Sequence, residues 1–281
     1  MSSNGADVNV ADASRWGGRS KPARRPSSPP LFGYLLDLDD DLAEQLELRM
    51  RFSARQHATA RLLDADTGVC DLASLFGAVG NGPGLLIVDG LLAIDTCIAG
   101  RTTTELMGDG DLIQPPERHE DEMVDSETVW RALNPTRLAL LDTDFAERMR
   151  SWPRVLNALF RRAERRSAEL DVLRAISCQP RLEVRLVLLL WHLASRWGRV
   201  EPSSLRLELP LTHRLLGQMV AAERPSISHA LRRLSQAGIV TGAAGDWHLH
   251  GSVEGHLASL IERTARLTPR NRGTAAAQRI A

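Results

Sequence analysis

The chain of 281 residues balances 35 Lys and Arg against 35 Asp and Glu, and 43% of it is apolar. That length suits two domains, and the apolar share is ordinary for a soluble protein. No apolar run reaches the length of a membrane span, and the first 20 residues lack the apolar core of a signal peptide, so the cytoplasm is the expected compartment.

Residues 1–30 are rich in Ser, Gly, Pro and Arg and nearly lack large apolar side chains, so disorder is expected. Lys21, Arg24 and Arg25 there are either loose phosphate contacts or part of a flexible tail. The acidic stretch LFGYLLDLDDD leads into a short helix predicted from about Asp39, with Leu42, Leu46 and Met50 turned inward.

Residues 62–141 read as short strands and turns. Residues 85–88, then Asp89-Gly90, then residues 91–98 carry a hairpin signature. Ala99-Gly100 gives the next turn, residues 102–107 the next strand, and Gly108 to Gly110 another turn before Leu112-Ile113. Residues 129–133 and 136–141 close the set around Asn134-Pro135. Such regular spacing predicts a barrel or jelly roll, assigned to residues 31–145.

Asp144 with Glu147 marks a helix start, Pro153 interrupts it, and the main helix is predicted from near Trp152. Met149, Trp152, Leu156, Leu159, Ala163, Leu170 and Leu173 alternate spacings of three and four, a heptad seam broken by Arg166. Charged Arg161, Arg162, Glu164, Arg165 and Glu169 lie off the seam. The pattern predicts a two-stranded coiled coil over residues 146–179; the alternative is packing of the stripe on the chain's own strands, as expected for its first turns. Cys178-Gln179-Pro180 is the predicted hinge, because proline cannot continue a helix and restricts the residue before it. A strongly apolar helix follows over residues 181–197, with Leu182, Leu186, Leu189, Leu190, Leu193 and Trp197 on one face. Residues 200–209 are an extended link or small strands.

The stretch LTHRLLGQMVAAERPSISHALRRL predicts two helices around a tight turn. The first spans residues 212–220, capped by Thr212 and burying Leu215, Leu216, Met219 and Val220. Ala221, Ala222 and Glu223 form the turn, and the second helix starts near Arg224, where Pro225 suits the first turn. Ile227, Ala230, Leu231 and Leu234 form its inner stripe; Arg224, Ser226, Ser228, His229, Arg232 and Arg233 face out. A face of donors without acids suits phosphates and base edges. Gly238 ends the helix, and residues 239–241 and 247–249 predict a small hairpin, or wing, around Gly242, Gly245 and Asp246. A further helix runs from Gly251 to about Leu267, so the winged domain covers residues 180–264 and a tail 265–281.

Charge follows this division. Residues 101–147 hold twelve acids and four arginines, and residues 148–199 twelve arginines and four acids. Such asymmetry is expected where one part approaches nucleic acid, or where helix faces are merely solvated. Cys70, Cys97 and Cys178 form no CxxC pair or disulfide framework and are expected to be reduced, buried hydrophobes. His119, Glu120, Asp121 and Glu122 match no calcium or zinc spacing and read as a solvated loop. The sequence carries no nucleophile elbow, P-loop or dinucleotide fingerprint, so neither enzymatic activity nor a cofactor is expected.

The segment LTHRLLGQMVAAERPSISHALRRLSQAGIV resembles the DNA-binding region of the Crp/Fnr family of bacterial transcription regulators, through Leu211, Thr212, Gly217-Gln218-Met219-Val220, Arg224, Ser226, Leu231 and Leu234. The resemblance implies an α+β chain: an N-terminal β-roll (jelly roll), a long dimerisation helix, and a C-terminal winged helix-turn-helix. It implies a homodimer on palindromic double-stranded DNA, with RNA polymerase as a candidate further partner. Arg224 aligns with a guanine-reading arginine, His229 with a second base-reading position, and Pro225 replaces a base-reading glutamate. Thr212, His213, Arg214, Ser226 and Arg232 fall at phosphate-contact positions or are ordinary surface residues. The roll departs from the nucleotide-binding members. GDGDLI matches their glycine-marked turn, but QPPERHEDEMVDSE has Arg118 without the Ser/Thr-Ala that should follow, and its acids and Pro115-Pro116 oppose a phosphate. Control by cAMP or cGMP is therefore not expected. The alternative function is a sensor or scaffold whose roll binds haem, another small molecule or a protein.

Overall fold

The computed structural model describes residues 31–116, 123–243 and 245–267. The predicted tail at residues 1–30, residues 268–281 of the tail predicted from 265, and Arg118, His119, Glu120, Asp121 and Glu122 lie outside the described residues, while residues 265–267 belong to the last helix.

The roll opens with β1 (Leu31–Tyr34) and three short helices, α1 (Leu35–Leu38), α2 (Asp40–Glu44) and α3 (Leu48–His57). Then come β2 (Thr59–Ala65), β3 (Gly68–Cys70), α4 (Ala73–Val79), β4 (Gly84–Asp89), β5 (Leu91–Ile98), β6 (Arg101–Gly108), β7 (Leu112–Ile113), β8 (Ser126–Ala132) and β9 (Thr136–Leu141). They form two sheets, ordered β1-β2-β9-β4-β7 and β3-β8-β5-β6. Leu85, Ile87, Leu138 and Leu140 of the first meet Leu92, Ile94, Met107 and Trp130 of the second in the roll's core. The first sheet's other face, with Leu86, Ala139 and Leu141, is also covered, which explains why β4 reads as an unbroken apolar run.

The hairpin expected at Asp89-Gly90 is not one. β4 pairs with β7 and β9, and β5 with β6 and β8, so the chain changes sheets at that corner. Gly90 sits at φ +114°, and a Cβ there would lie 2.7 Å from the Thr136 Cα. The glycine thus serves a close approach of two backbones rather than a two-residue turn. Ala99-Gly100 is the true hairpin, joining Ile98 to Arg101 with both turn residues at positive φ. Helices α3 and α4 are not legible in the sequence. Leu48 and Phe52 of α3 point outward and only Ala54 is buried, so the segment has no apolar stripe to detect. Met50, expected inside, is exposed, whereas Leu42 and Leu46 are buried.

The connector begins with α5 (Thr143–Arg148), capped by Asp142, whose Oδ1 accepts from the Phe145 N–H at 2.8 Å. A 3-10 turn (Met149–Ser151) leads to α6 (Pro153–Ser177), with its proline in the first turn. α6 lays Val155, Ala158 and Leu159 on the first sheet. Arg162, grouped with the solvated charges by sequence, is 8% exposed on the same face and forms a bidentate pair with Asp39.

The reader domain holds α7 (Leu182–Trp197), β10 (Gly198–Val200), β11 (Leu205–Leu207), α8 (His213–Met219), α9 (Arg224–Gln236), β12 (Val240–Ala243), β13 (Asp246–Leu249) and α10 (Val253–Leu267). Its sheet is ordered β10-β11-β13-β12, and the extended link of residues 200–209 supplies β11 and the last residue of β10. Leu186, Leu190 and Leu193 of α7 pack with Leu216, Ile227, Leu231 and Trp247, and this core continues into Leu91, Ala93 and Leu106 on the outer face of the roll's second sheet. Among the described residues no helix is long and apolar enough to cross a membrane.

Candidate nucleic-acid interface

Thr212 caps α8, its Oγ1 accepting from the Leu215 N–H at 3.1 Å. Gly217 lets the two helices close, since a Cβ there would stand 2.5 Å from the Ala222 carbonyl oxygen, which is backbone and cannot yield. Ala221 takes φ +54° in the turn, an unusual conformation for a side chain with a Cβ. α9 ends in a Schellman motif: the Ile239 N–H donates to the Leu234 carbonyl and the Gly238 N–H to that of Ser235, both at 2.9 Å. The sequence anticipated these boundaries because each rests on a local cap or a glycine.

With Ile227, Ala230, Leu231 and Leu234 buried, a turn of 100° per residue centres the opposite face on Pro225, His229 and Arg232, with Arg224 and Ser226 flanking. All five are exposed or partly exposed. Among the described residues, the side chains of Arg224, His229 and Arg232 have no hydrogen-bond or ion-pair partner, and neither has that of Arg214 on α8. Two neighbours are committed instead. Arg233 pairs with Glu183 of α7 at 2.8 Å, and Ser228 hydrogen-bonds His213 Nδ1 at 2.9 Å and donates to the Arg224 carbonyl. His213 is therefore half-buried and ties α8 to α9. At the wing, Arg206 pairs with Asp246 at 2.8 Å and holds its carboxyl below the usual carboxylate range. The described part of the wing tip thus presents a neutralised pair rather than a spare cation.

Sequence reasoning missed Arg185. It lies one turn into α7 and donates to the Gln179 carbonyl at 2.5 Å and the Val220 carbonyl at 3.1 Å, joining hinge to helix-turn-helix. Only the partners' positions in the fold reveal this role.

The predicted dimer seam is only partly open on the surface. Met149 and Leu159 are fully buried in the chain's own core, which leaves them no surface for a second chain. Trp152 and Leu156 pack beside that core, and Leu173 against the reader core. Ala163 is half-buried and Leu170 exposed. Phe160, outside the predicted seam, is 49% exposed.

A cavity of about 620 Å³ lies between β5, β6, β8, α6 and the helix-turn-helix turn. Thr96, Thr104, Gln114, Pro115, Thr128, Leu170, Met219 and Ala221 are among its lining residues. The Arg166 guanidinium on its wall is held by Glu105 through two bonds of 2.9 Å.

Residues 184–250 match the family model described as the Crp-like helix-turn-helix domain. The reader is a Crp-like helix-turn-helix domain. Over most of the chain the fold is also that of solved regulators. FixK2 from Bradyrhizobium japonicum is 15% identical with a TM-score of 0.52, over 78% of this chain and 99% of that one. The c-di-GMP responsive global regulator CLP of Xanthomonas campestris is 16% identical at 0.52, over 76% and 100%. A cysteine-to-serine variant of CprK complexed with OCPA is 15% identical at 0.52, over 82% and 94%. No curated protein matches the sequence. The chain thus carries a Crp-like helix-turn-helix domain within a fold shared with these solved structures.

Proposed function

We propose that the chain works in the cytoplasm, without catalysis, as a homodimer that reads a palindromic double-stranded DNA site with α9 and needs no cyclic nucleotide. The carrying observation is the exposed, unpartnered stripe of Arg224, His229 and Arg232 on a helix whose other face is locked into the core. Arg224 would read guanine, its planar fork matching O6 and N7. His229 would contact a base edge, and Pro225 contributes shape without an acceptor. Arg214, Ser226 and Arg232 would hold phosphates, joined by the free hydroxyl hydrogen of Thr212 and the outer nitrogen of His213. Leu156, Phe160, Ala163 and Leu170 keep heptad spacing and form the dimer stripe left to α6 after its inner face is spent. A two-fold dimer then matches half-sites about one helical turn apart, and RNA polymerase is the further partner of such a regulator. Neutralisation of Arg166 by Glu105, and Gln114-Pro115-Pro116 at the cavity, support independence from a cyclic phosphate.

Selection from a random DNA pool without ligand tests this. Wild type should recover a palindrome, and Arg224→Ala should relax its guanine preference at a cost of about 1–3 kcal/mol. Failure to select any sequence, with cyclic nucleotides or altered redox conditions giving no recovery, would reject DNA as the partner.

The cavity favours a second reading, in which the roll senses an uncharged small molecule. Among the described residues its lining offers threonines, Ser177 and Gln114, with Arg166 already neutralised by Glu105. A ligand screen by thermal shift separates a sensor from a ligand-independent support.

A further inference from the structure

The roll, the connector and the reader meet at one carboxylate. Asp111 stands in the turn between β6 and β7 with its side chain 4% exposed. One oxygen accepts from the Gly108 N–H at 2.8 Å and lies 2.7 Å from Arg196 at the end of α7. The other accepts from Arg165 of α6 at 3.3 Å. Arg196 also donates to the Asp109 carbonyl at 3.0 Å and stacks 4.5 Å above the Trp197 ring. Glu169 of α6 completes the cluster, 3.7 Å from Arg196 and 3.8 Å from Arg165. Trp197 closes over Gly108, where a Cβ would come within 3.1 Å of the indole nitrogen.

We propose that Asp111 is a positioning residue for DNA recognition: it fixes the reader's orientation on the roll, and thereby the relation of the two recognition helices in the dimer. The proposal rests on the dimeric DNA-reading function above. A buried carboxylate shared by two arginines from different elements tolerates little displacement of either, because a shift strands a charge with few waters to replace its partner. Moving α6 against the roll would displace Arg165 and Glu169, and through the shared carboxylate Arg196. The same reader end is also tied near its turn, where Ser177 of α6 donates to the Met219 carbonyl at 3.4 Å and Arg185 to that of Val220. Beside the apolar core that the reader shares with Leu91, Ala93 and Leu106, polar contacts thus hold the orientation at two points, and Asp111 is the polar one that belongs to the roll. Two half-sites are bound together only if both readers keep their orientation; without it, the second contact loses its high effective concentration.

The test uses the full chain with Asp111→Asn and Arg196→Gln. Arg199→Gln serves as the control, removing a neighbouring reader charge that takes no part in the cluster, pairs with Glu208 and is 79% exposed. Proteolysis at residues 178–181, without DNA, should speed up about ten-fold in both variants and not in the control, since cleavage tracks the open population. Affinity for the selected palindrome should fall about 100-fold, while affinity for a single half-site stays within about two-fold. A purely structural role would weaken both DNAs alike, so an unchanged palindrome-to-half-site ratio overturns the proposal. Wild-type cleavage rates in both variants overturn it too. If Asp111→Asn does not fold, Arg196→Gln decides alone. If wild type selects no DNA site, the functional reading fails, while the proteolysis still reports whether the cluster holds the reader.

Discussion

The pair between Arg162 and Asp39 locks α6 onto the helices that open the roll, and its removal is the most demanding test of the packing described above. The two bonds measure 2.5 and 2.8 Å, with the side chains 8% and 10% exposed. Asp41 is 4.0 Å away but 86% exposed, too solvated to replace Asp39. Removing one partner of a buried pair typically costs about 3–5 kcal/mol, because the survivor is left charged and dry. Asp39 has a second duty, its Oδ1 accepting from the Leu42 N–H at 3.1 Å as the cap of α2, worth about 1 kcal/mol. Arg162→Leu should therefore cost about 3 kcal/mol, and Asp39→Ala about 1 kcal/mol more than that. Asp39→Asn with Arg162→Leu keeps the cap and buries no charge, so it should be clearly less destabilised than the sum of its single variants. Urea unfolding followed by circular dichroism at pH 7 reads each of these proteins. A cost below about 1 kcal/mol for Arg162→Leu, or additive effects in the double variant, would show that the pair is solvated and that α6 is held by its apolar face alone.

Gly217→Ala should lower stability by about 1–3 kcal/mol, because its new methyl group meets the Ala222 backbone at 2.5 Å and forces α8 from α9. A melting temperature within a degree of wild type would contradict that. His192 is half-buried on α7, and burial holds its pKa below the usual histidine value, opposed weakly by Glu169. The unfolded chain therefore takes up that proton first. The contribution of His192 should be fully present above the ordinary histidine pKa of about 6.5 and be lost as pH falls through that value toward its folded one. The difference in unfolding free energy between wild type and His192→Gln, measured from pH 8 to pH 5, should shift against wild type on acidification; parallel curves would show that His192 is hydrated.

What the sequence discloses depends on how local its cause is. The reader was legible nearly to the residue. Thr212 caps, Pro225 starts and Gly238 stops a helix by means that operate within four residues, and the buried stripe of α9 follows from its spacing alone. The strands from β4 to β9 were legible for the same reason, but not their partners, and β1, β2 and β3 were not singled out. Asp89-Gly90 and Ala99-Gly100 look alike in sequence, yet the first turns a corner between sheets and the second closes a hairpin. The difference lies in Thr136, whose Cα crosses within 2.7 Å of a Cβ built at Gly90 from 46 positions along the chain. The charge cluster at Asp111 is more remote still: its arginines stand 54 and 85 positions away, and nothing near Gly108-Asp109-Gly110 marks them.

The connector shows why a periodic stripe alone does not name its partner. Heptad spacing selects residues that share a face; it does not say whether that face meets another chain or the chain's own sheet. In α6 the answer changes along the helix. Its first turns face Leu86, Ala139 and Leu141, so Leu159 is consumed there together with Met149 before the helix starts. Past Arg162 the roll's apolar floor gives way to charges from Glu105 and Asp111, and α6 answers with Arg165 and Arg166. Arg166, which looked like a defect in a coiled coil, is the residue that seats this stretch on β6. Of the predicted seam Leu170 stays exposed, although it also lines the cavity, and Phe160 beside the seam is 49% exposed. One helix thus joins the roll through one face, leaves Phe160 exposed, and leads at its end into the Crp-like reader domain.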